Sequence, residues 1–147
     1  MKDSTKLSGT FRVLVFAVLC LALALPAAGA DHQGAKNAAI KAAGNFLQMI
    51  DGGRYAASWD ETAPIFRAQV SREQWTAKLA ELRPLFGALN VRKIKAAKFA
   101  TTLPGAPDGE YVVIRFASSF AKKEAAIETV TMMRVGVRWM VAGYYIR

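Results

Sequence analysis

Histidine and cysteine are almost absent from this chain. Its 147 residues hold one of each, His32 and Cys20. The shortage excludes a zinc site of the usual Cys/His kind. It also leaves no histidine within the folded part for a Ser-His-Asp arrangement. A lone thiol makes no internal disulfide, so stability rests on packing. No glycine-rich phosphate loop or dinucleotide fingerprint occurs. Acids are scarce as well: 11 Asp+Glu stand against 20 Lys+Arg, for a net charge of +9. Charge of that sign attracts anionic surfaces without specifying one. Beyond residue 30 no apolar run approaches the roughly 20 residues of a membrane span.

What is present begins with an export signature. Lys2, Lys6 and Arg12 precede an uncharged stretch from Val13 to Leu25, then Pro26, then Ala28-Gly29-Ala30. A basic start, a short apolar stretch and an Ala-x-Ala ending mark a secretory signal peptide. Residues 1–30 are read as that signal, with cleavage near Ala30 and a periplasmic or secreted product. The apolar stretch is short for a retained anchor, so the mature form is not expected to span a membrane. Leu19 sits where a lipoprotein signal wants a small residue, so Cys20 leaves with the signal. Cleavage removes three basic residues and Asp3, which takes the charge from +9 to +7. Residues 31–147 suffice for one domain with a core and are too few for two ordinary ones.

That domain divides into helical and extended halves. Ala39, Ala42, Ala43, Phe46, Leu47 and Ile50 form one face of a first helix, ended by Asp51-Gly52-Gly53. A second helix is expected from Arg54 to Phe66, with Tyr55, Trp59, Ala63 and Phe66 inward and Pro64 disturbing it. A third opens on a capping box, Ser71 with Gln74, flanked by the staple pair Val70 and Trp75. Gly87 closes it. Residues 88–147 then read as a four-stranded meander. Its strands lie within Leu89–Thr101, Glu110–Ala121, Ala125–Val135 and Val137–Ile146. The first strand alternates imperfectly. In the second, Val112, Ile114, Phe116 and Phe120 face one way, and Tyr111, Val113, Arg115 and Ala117 the other. Helices first and an antiparallel sheet second make an α+β layer fold.

These residues also carry a family resemblance. Phe46-Leu47, Ile50-Asp51, Gly53, Tyr55 and Ser58-Trp59 resemble the opening of a bacterial family known as domain of unknown function 4019. Trp75, Leu79 and Arg83-Pro84-Leu85-Phe86-Gly87 resemble its middle. Leu103-Pro104-Gly105, Pro107, Gly109, Tyr111-Val112-Val113-Ile114 and Phe116 are similar to its hairpin. Glu128-Thr129-Val130-Thr131 and Trp139, Val141-Ala142-Gly143-Tyr144 and Ile146 complete the pattern. Val135-Gly136 departs from it, standing where an acid and a glycine are expected. The resemblance implies an exported domain whose helices cradle a curved four-stranded antiparallel sheet, cystatin-like or nuclear transport factor 2-like. It implies no activity.

Candidate site residues follow from polar groups in apolar surroundings. Arg83 lies between Leu82 and Pro84, and Arg115 among Val113, Ile114 and Phe116. If buried, each needs a carboxylate or several backbone acceptors. Glu128 sits among strand residues, as a solvated charge, as one paired across the sheet or as a functional acid. Tyr55, Tyr111 and Tyr144 would line a cavity if one survives. The ligand-binding set is therefore Tyr55, Arg83, Tyr111, Arg115, Glu128 and Tyr144. No catalytic set, metal or cofactor is implied, and His32 reads as a frayed terminal residue. Arg92-Lys93, Lys95, Lys98 and Lys122-Lys123 read as a basic patch or a solvated strand. It lacks a recognition helix or stacking platform, so nucleic acid is not a partner. The function favoured is non-enzymatic binding of a small ligand or protein in the cell envelope. A structural homodimer through the outer sheet face is the alternative, and an enzyme with a Tyr/Arg/Glu-lined cavity a third. An open cavity would support the pocket readings. An interior filled by Phe46, Trp59 and Trp75 would turn attention to the outer sheet.

Overall fold

The computed structural model describes residues 28–147, with side chains from His32 onward. The expected signal segment and Cys20 fall mostly on residues 1–27, outside the described residues. Four helices lead the fold: α1 (Ala28–Asp51), α2 (Tyr55–Asp60), α3 (Pro64–Arg67) and α4 (Arg72–Phe86). Four strands follow: β1 (Leu89–Ala100), β2 (Tyr111–Phe120), β3 (Lys123–Val135) and β4 (Arg138–Ile146). They make one antiparallel sheet in the order β1-β2-β3-β4. No helix among the described residues is long and apolar enough to cross a membrane.

The helices obey their local signals. On α1, residues Ala39, Ala43, Phe46, Leu47 and Ile50 are buried, and the helix packs across all four strands. The expected second helix is two. After Asp60 the chain turns extended and bonds to the sheet, with Ala63 N–H donating to the Val141 carbonyl at 2.7 Å and Val141 N–H to that of Glu61 at 2.9 Å. Pro64 then starts α3, where its missing N–H costs nothing. The capping box of α4 forms: Gln74 N–H donates to Ser71 Oγ at 3.2 Å, and Ser71 N–H to Gln74 Oε1 at 2.9 Å. Gly87 closes that helix at φ +76°, a left-handed value that disfavours side chains. His32 is not frayed: it lies on α1 and stacks on Phe99 of β1 at 4.3 Å.

Around Trp75 the layer between helices and sheet is filled. Trp75 packs against Phe46 at 6.1 Å, Phe66 at 5.3 Å and Tyr144 at 6.1 Å. Its indole N–H donates to Ser58 Oγ at 2.9 Å, so the buried ring keeps a polar partner. Trp59 packs beside this core. Val112, Ile114, Phe116, Val130, Met132 and Val141 floor it from the sheet.

The expectation of a cystatin-like or nuclear transport factor 2-like curved sheet is overturned. The α+β layering and the antiparallel meander stand, but the sheet neither closes nor curls. Each strand pairs only with its neighbours in the chain, so β1 and β4 are edges that never meet. The helices cover one face alone. With no second wall, and with Phe46 and Trp75 occupying the space against the first, no cone-shaped cavity arises.

Candidate functional site

The interior holds one concentrated group of polar side chains, and six elements build it. Asp51 ends α1, and Arg83 lies in the last turn of α4. Arg92 comes from β1, Ser118 from β2, Glu128 from β3 and Tyr144 from β4. The pairing register puts Arg92 opposite Ser118 and Glu128 opposite Phe116, on the helix-facing side of the sheet.

Glu128 is fully buried. Its Oε2 accepts from Arg92 Nε at 2.6 Å and from Ser118 Oγ at 2.5 Å. Its Oε1 accepts from Arg92 Nη2 at 3.1 Å and from the Tyr144 hydroxyl at 2.8 Å. Those four bonds fill the acceptor capacity of a carboxylate. Arg92 turns its other edge to Asp51, donating Nη1 to Oδ2 at 2.6 Å and Nη2 to Oδ1 at 3.0 Å. Arg83 Nη2 donates to the same Oδ1 at 2.9 Å, and the guanidinium lies over the Phe120 ring at 4.7 Å. Two cations thus meet two anions, which is how charge survives burial. Arg83 Nη1 is buried without a partner.

The electrostatics follow from the contacts. Burial alone would lower the pKa of Arg92, but its hydrogen bonds and charge pairing with Asp51 and Glu128 outweigh that and hold it above the ordinary value. Burial pushes the Tyr144 phenol upward, and the Glu128 charge and hydrogen bond push it further. Tyr144 therefore stays a neutral donor. The cluster locks six elements together, and Glu128, with four bonds accepted, has no lone pair left to take a substrate proton.

The expected ligand-binding set is dispersed. Arg83, Glu128 and Tyr144 share the cluster. Tyr55 lines a shallow pocket of about 230 Å³ beside Arg83 and Asp51. Tyr111 is buried at the other end of the sheet, its hydroxyl donating to the Pro107 carbonyl at 2.7 Å. Tyr111 and Tyr144 together line a larger pocket, about 400 Å³, with Phe66, Val70 and Leu103. Arg115, weighed as a buried charge, is exposed on the outer sheet face. Sequence reasoning missed Asp51, Arg92 and Ser118. Asp51 read as a helix stop and Arg92 as part of a basic run. The available signal was the pair Arg92 and Glu128, charges of opposite sign in strands of one small sheet.

The outer face of the sheet is a second candidate. Register sets its residues in rows across the strands. One row is Lys93, Ala117, Ile127 and Arg147, and the next is Ala96, Arg115, Thr129 and Tyr145. A third is Lys98, Val113, Thr131 and Gly143. None of these rows contains an acid. A depression of about 380 Å³ lies along the first, with Val91, Ala117 and Ile127 in its lining and Glu124 among its residues near the β2–β3 hairpin. The basic run is thus split by the register, with Arg92 inside and Lys93 and Lys98 outside. Lys122 caps the Pro84 carbonyl at 3.1 Å, and Lys123 lies over the Phe86 ring.

Residues 42–144 match the model of a family described as protein of unknown function (DUF4019), and the chain belongs to that family. Neither a curated protein nor a solved structure matches it.

Proposed function

We propose that this domain is a non-catalytic binding module of the cell envelope that meets its partner through the outer face of its sheet. The observation that carries the reading is the contrast between the two faces. Inside, Asp51, Arg83, Arg92 and Glu128 answer one another. Outside, Lys93, Lys98, Arg115 and Arg147 enter none of the ion pairs of the described residues. Three neighbouring rows whose only charges are basic argue against self-association, because a twofold contact over them would set like charges against like. The basic start, the apolar stretch Val13–Leu25 and Ala28-Gly29-Ala30 support export.

Photocrosslinking in the producing cells tests this. Benzoylphenylalanine replaces Ile127 on the outer face, or Leu85, which is 68 % exposed on the helix side. Adducts to another molecule from position 127 and none from 85 are expected. Adducts from neither or equally from both, or only a covalent dimer of the chain, would overturn the proposal.

A further inference from the structure

We infer that the outer sheet face docks on an anionic lipid bilayer, with Lys93, Lys98 and Arg115 at the headgroups and Val91 and Tyr145 at the interface. This rests on the binding-module reading and names its partner. Strands lie about 4.8 Å apart and alternate residues about 6.8 Å apart. Lys93 is level with Ala117 and Lys98 with Val113, each two residues along β2 from Arg115. Each lysine backbone therefore lies about 8 Å from that of Arg115. Lys93 and Lys98 flank Arg115 on either side, and none of the three enters an ion pair among the described residues, an arrangement that suits a partner with dense negative charge.

Several features favour a bilayer over a soluble acidic chain. Apart from the depression beside Lys93, the surface is an open sheet, which matches a planar partner better than a strand of polymer. Its charges alternate with apolar and hydroxyl side chains: Val113, Ile127, Thr129 and Thr131 lie between them, while Val91 is 45 % and Tyr145 60 % exposed. Lysine and arginine stems lie along apolar surface while their heads reach phosphate. A tyrosine suits the interface, its ring toward the acyl chains and its hydroxyl in water. Each basic side chain at an anionic leaflet contributes about fivefold in partitioning, so three give on the order of 100-fold. That is reversible, salt-sensitive docking.

The full chain without its signal segment is mixed with vesicles of phosphatidylcholine alone or with phosphatidylglycerol, and binding is read by sedimentation. Binding to the phosphatidylglycerol vesicles alone is expected, with loss at 1 M salt, where screening shortens to about 3 Å. Replacing Lys93, Lys98 and Arg115 together by glutamine weakens it about 100-fold. Replacing Lys41, Arg54 and Lys78 instead removes equal charge from the helix side and weakens it far less. A Tyr145→Trp reporter is quenched by brominated lipid in anionic vesicles only. Equal losses in the two triple variants would overturn the assignment, because net charge alone would then bind. No binding to anionic vesicles, or tighter binding to soluble polyglutamate, would overturn the bilayer as partner. Position-127 adducts to a protein would then leave the binding module standing with a different occupant.

Discussion

The buried cluster makes its sharpest prediction at Arg92. This one side chain donates four hydrogen bonds to Asp51 and Glu128 while its side chain is 12 % exposed. Arg92→Met keeps the apolar stem and deletes the charge. Asp51 and Glu128 then face Arg83 alone, leaving one uncompensated buried anion. Breaking a buried pair this way costs about 3–5 kcal/mol, out of the roughly 5–15 kcal/mol that holds a domain together. Urea unfolding followed by tryptophan fluorescence reads the loss. At a slope of about 2 kcal/mol/M, a 4 kcal/mol loss moves the midpoint by about 2 M. Glu128→Gln leaves one excess cation but keeps one acceptor oxygen, for Ser118 or for Tyr144, so it costs less, about 2 kcal/mol. The double variant restores charge balance, since Asp51 and Arg83 remain as a pair. Its loss falls short of the summed single losses by about 2 kcal/mol. A loss below about 1 kcal/mol for Arg92→Met, or singles that add to the double within about 0.5 kcal/mol, would refute the account of the cluster as the lock between helices and sheet.

Two further outcomes follow. Tyr144 has its phenol pKa raised above the ordinary value of 10.0, so above that pH the unfolded chain loses a proton that the folded protein keeps. The stability it contributes is complete below pH 10 and falls as pH rises beyond it. The gap between wild type and Tyr144→Phe therefore narrows from pH 9 to 11 in urea titrations, and a constant gap would refute the shift. Gly87→Ala destabilises the domain by about 1–2 kcal/mol, because φ is +76° and a Cβ would meet Lys122 Cγ at 3.2 Å and Ala121 Cβ at 3.3 Å. A neutral or stabilising effect in thermal unfolding would show that the turn relaxes.

The local parts of this fold were legible because local chemistry determines them. Ser71 and Gln74 need only each other to cap α4. The spacing of Phe46, Leu47 and Ile50 needs only a helix. The strand pattern of Val112, Ile114 and Phe116 needs only a sheet with one covered face. The curvature taken from the family resemblance failed, because closure depends on which strands meet, and no residue pattern here reports that β1 and β4 stay apart. The split of the second helix was half visible: Pro64 marked a break, but the pairing of Thr62 with Val141 joins segments far apart in sequence. Tyr111 shows the same limit. It follows the outward alternation of β2, and the loop before it covers it, so parity gave its face but not its burial.

The charges show why the candidate site resisted reading while its residues stood in plain view. A strand alternates its faces with period two, so register decides which cations are internal. In β1, Arg92 and Ile94 pair with Ser118 and Phe116 and share their parity, Arg92 covered by the helices and Ile94 49 % exposed. A register shift follows between Ile94 and Ala96, adding Lys95 to one strand without a partner on the other. After it Ala97 and Phe99 face inward, and Lys98 turns outward beside Arg115. Without that extra residue, Lys98 would share the parity of Arg92 and point into the core, and Phe99 would lose its place against α1. The irregular alternation of the first strand is therefore the trace of the device that sorts its charges. One arginine goes inside to bind the carboxylates of α1 and β3. Two lysines, Lys93 and Lys98, stay outside, where they enter no ion pair among the described residues.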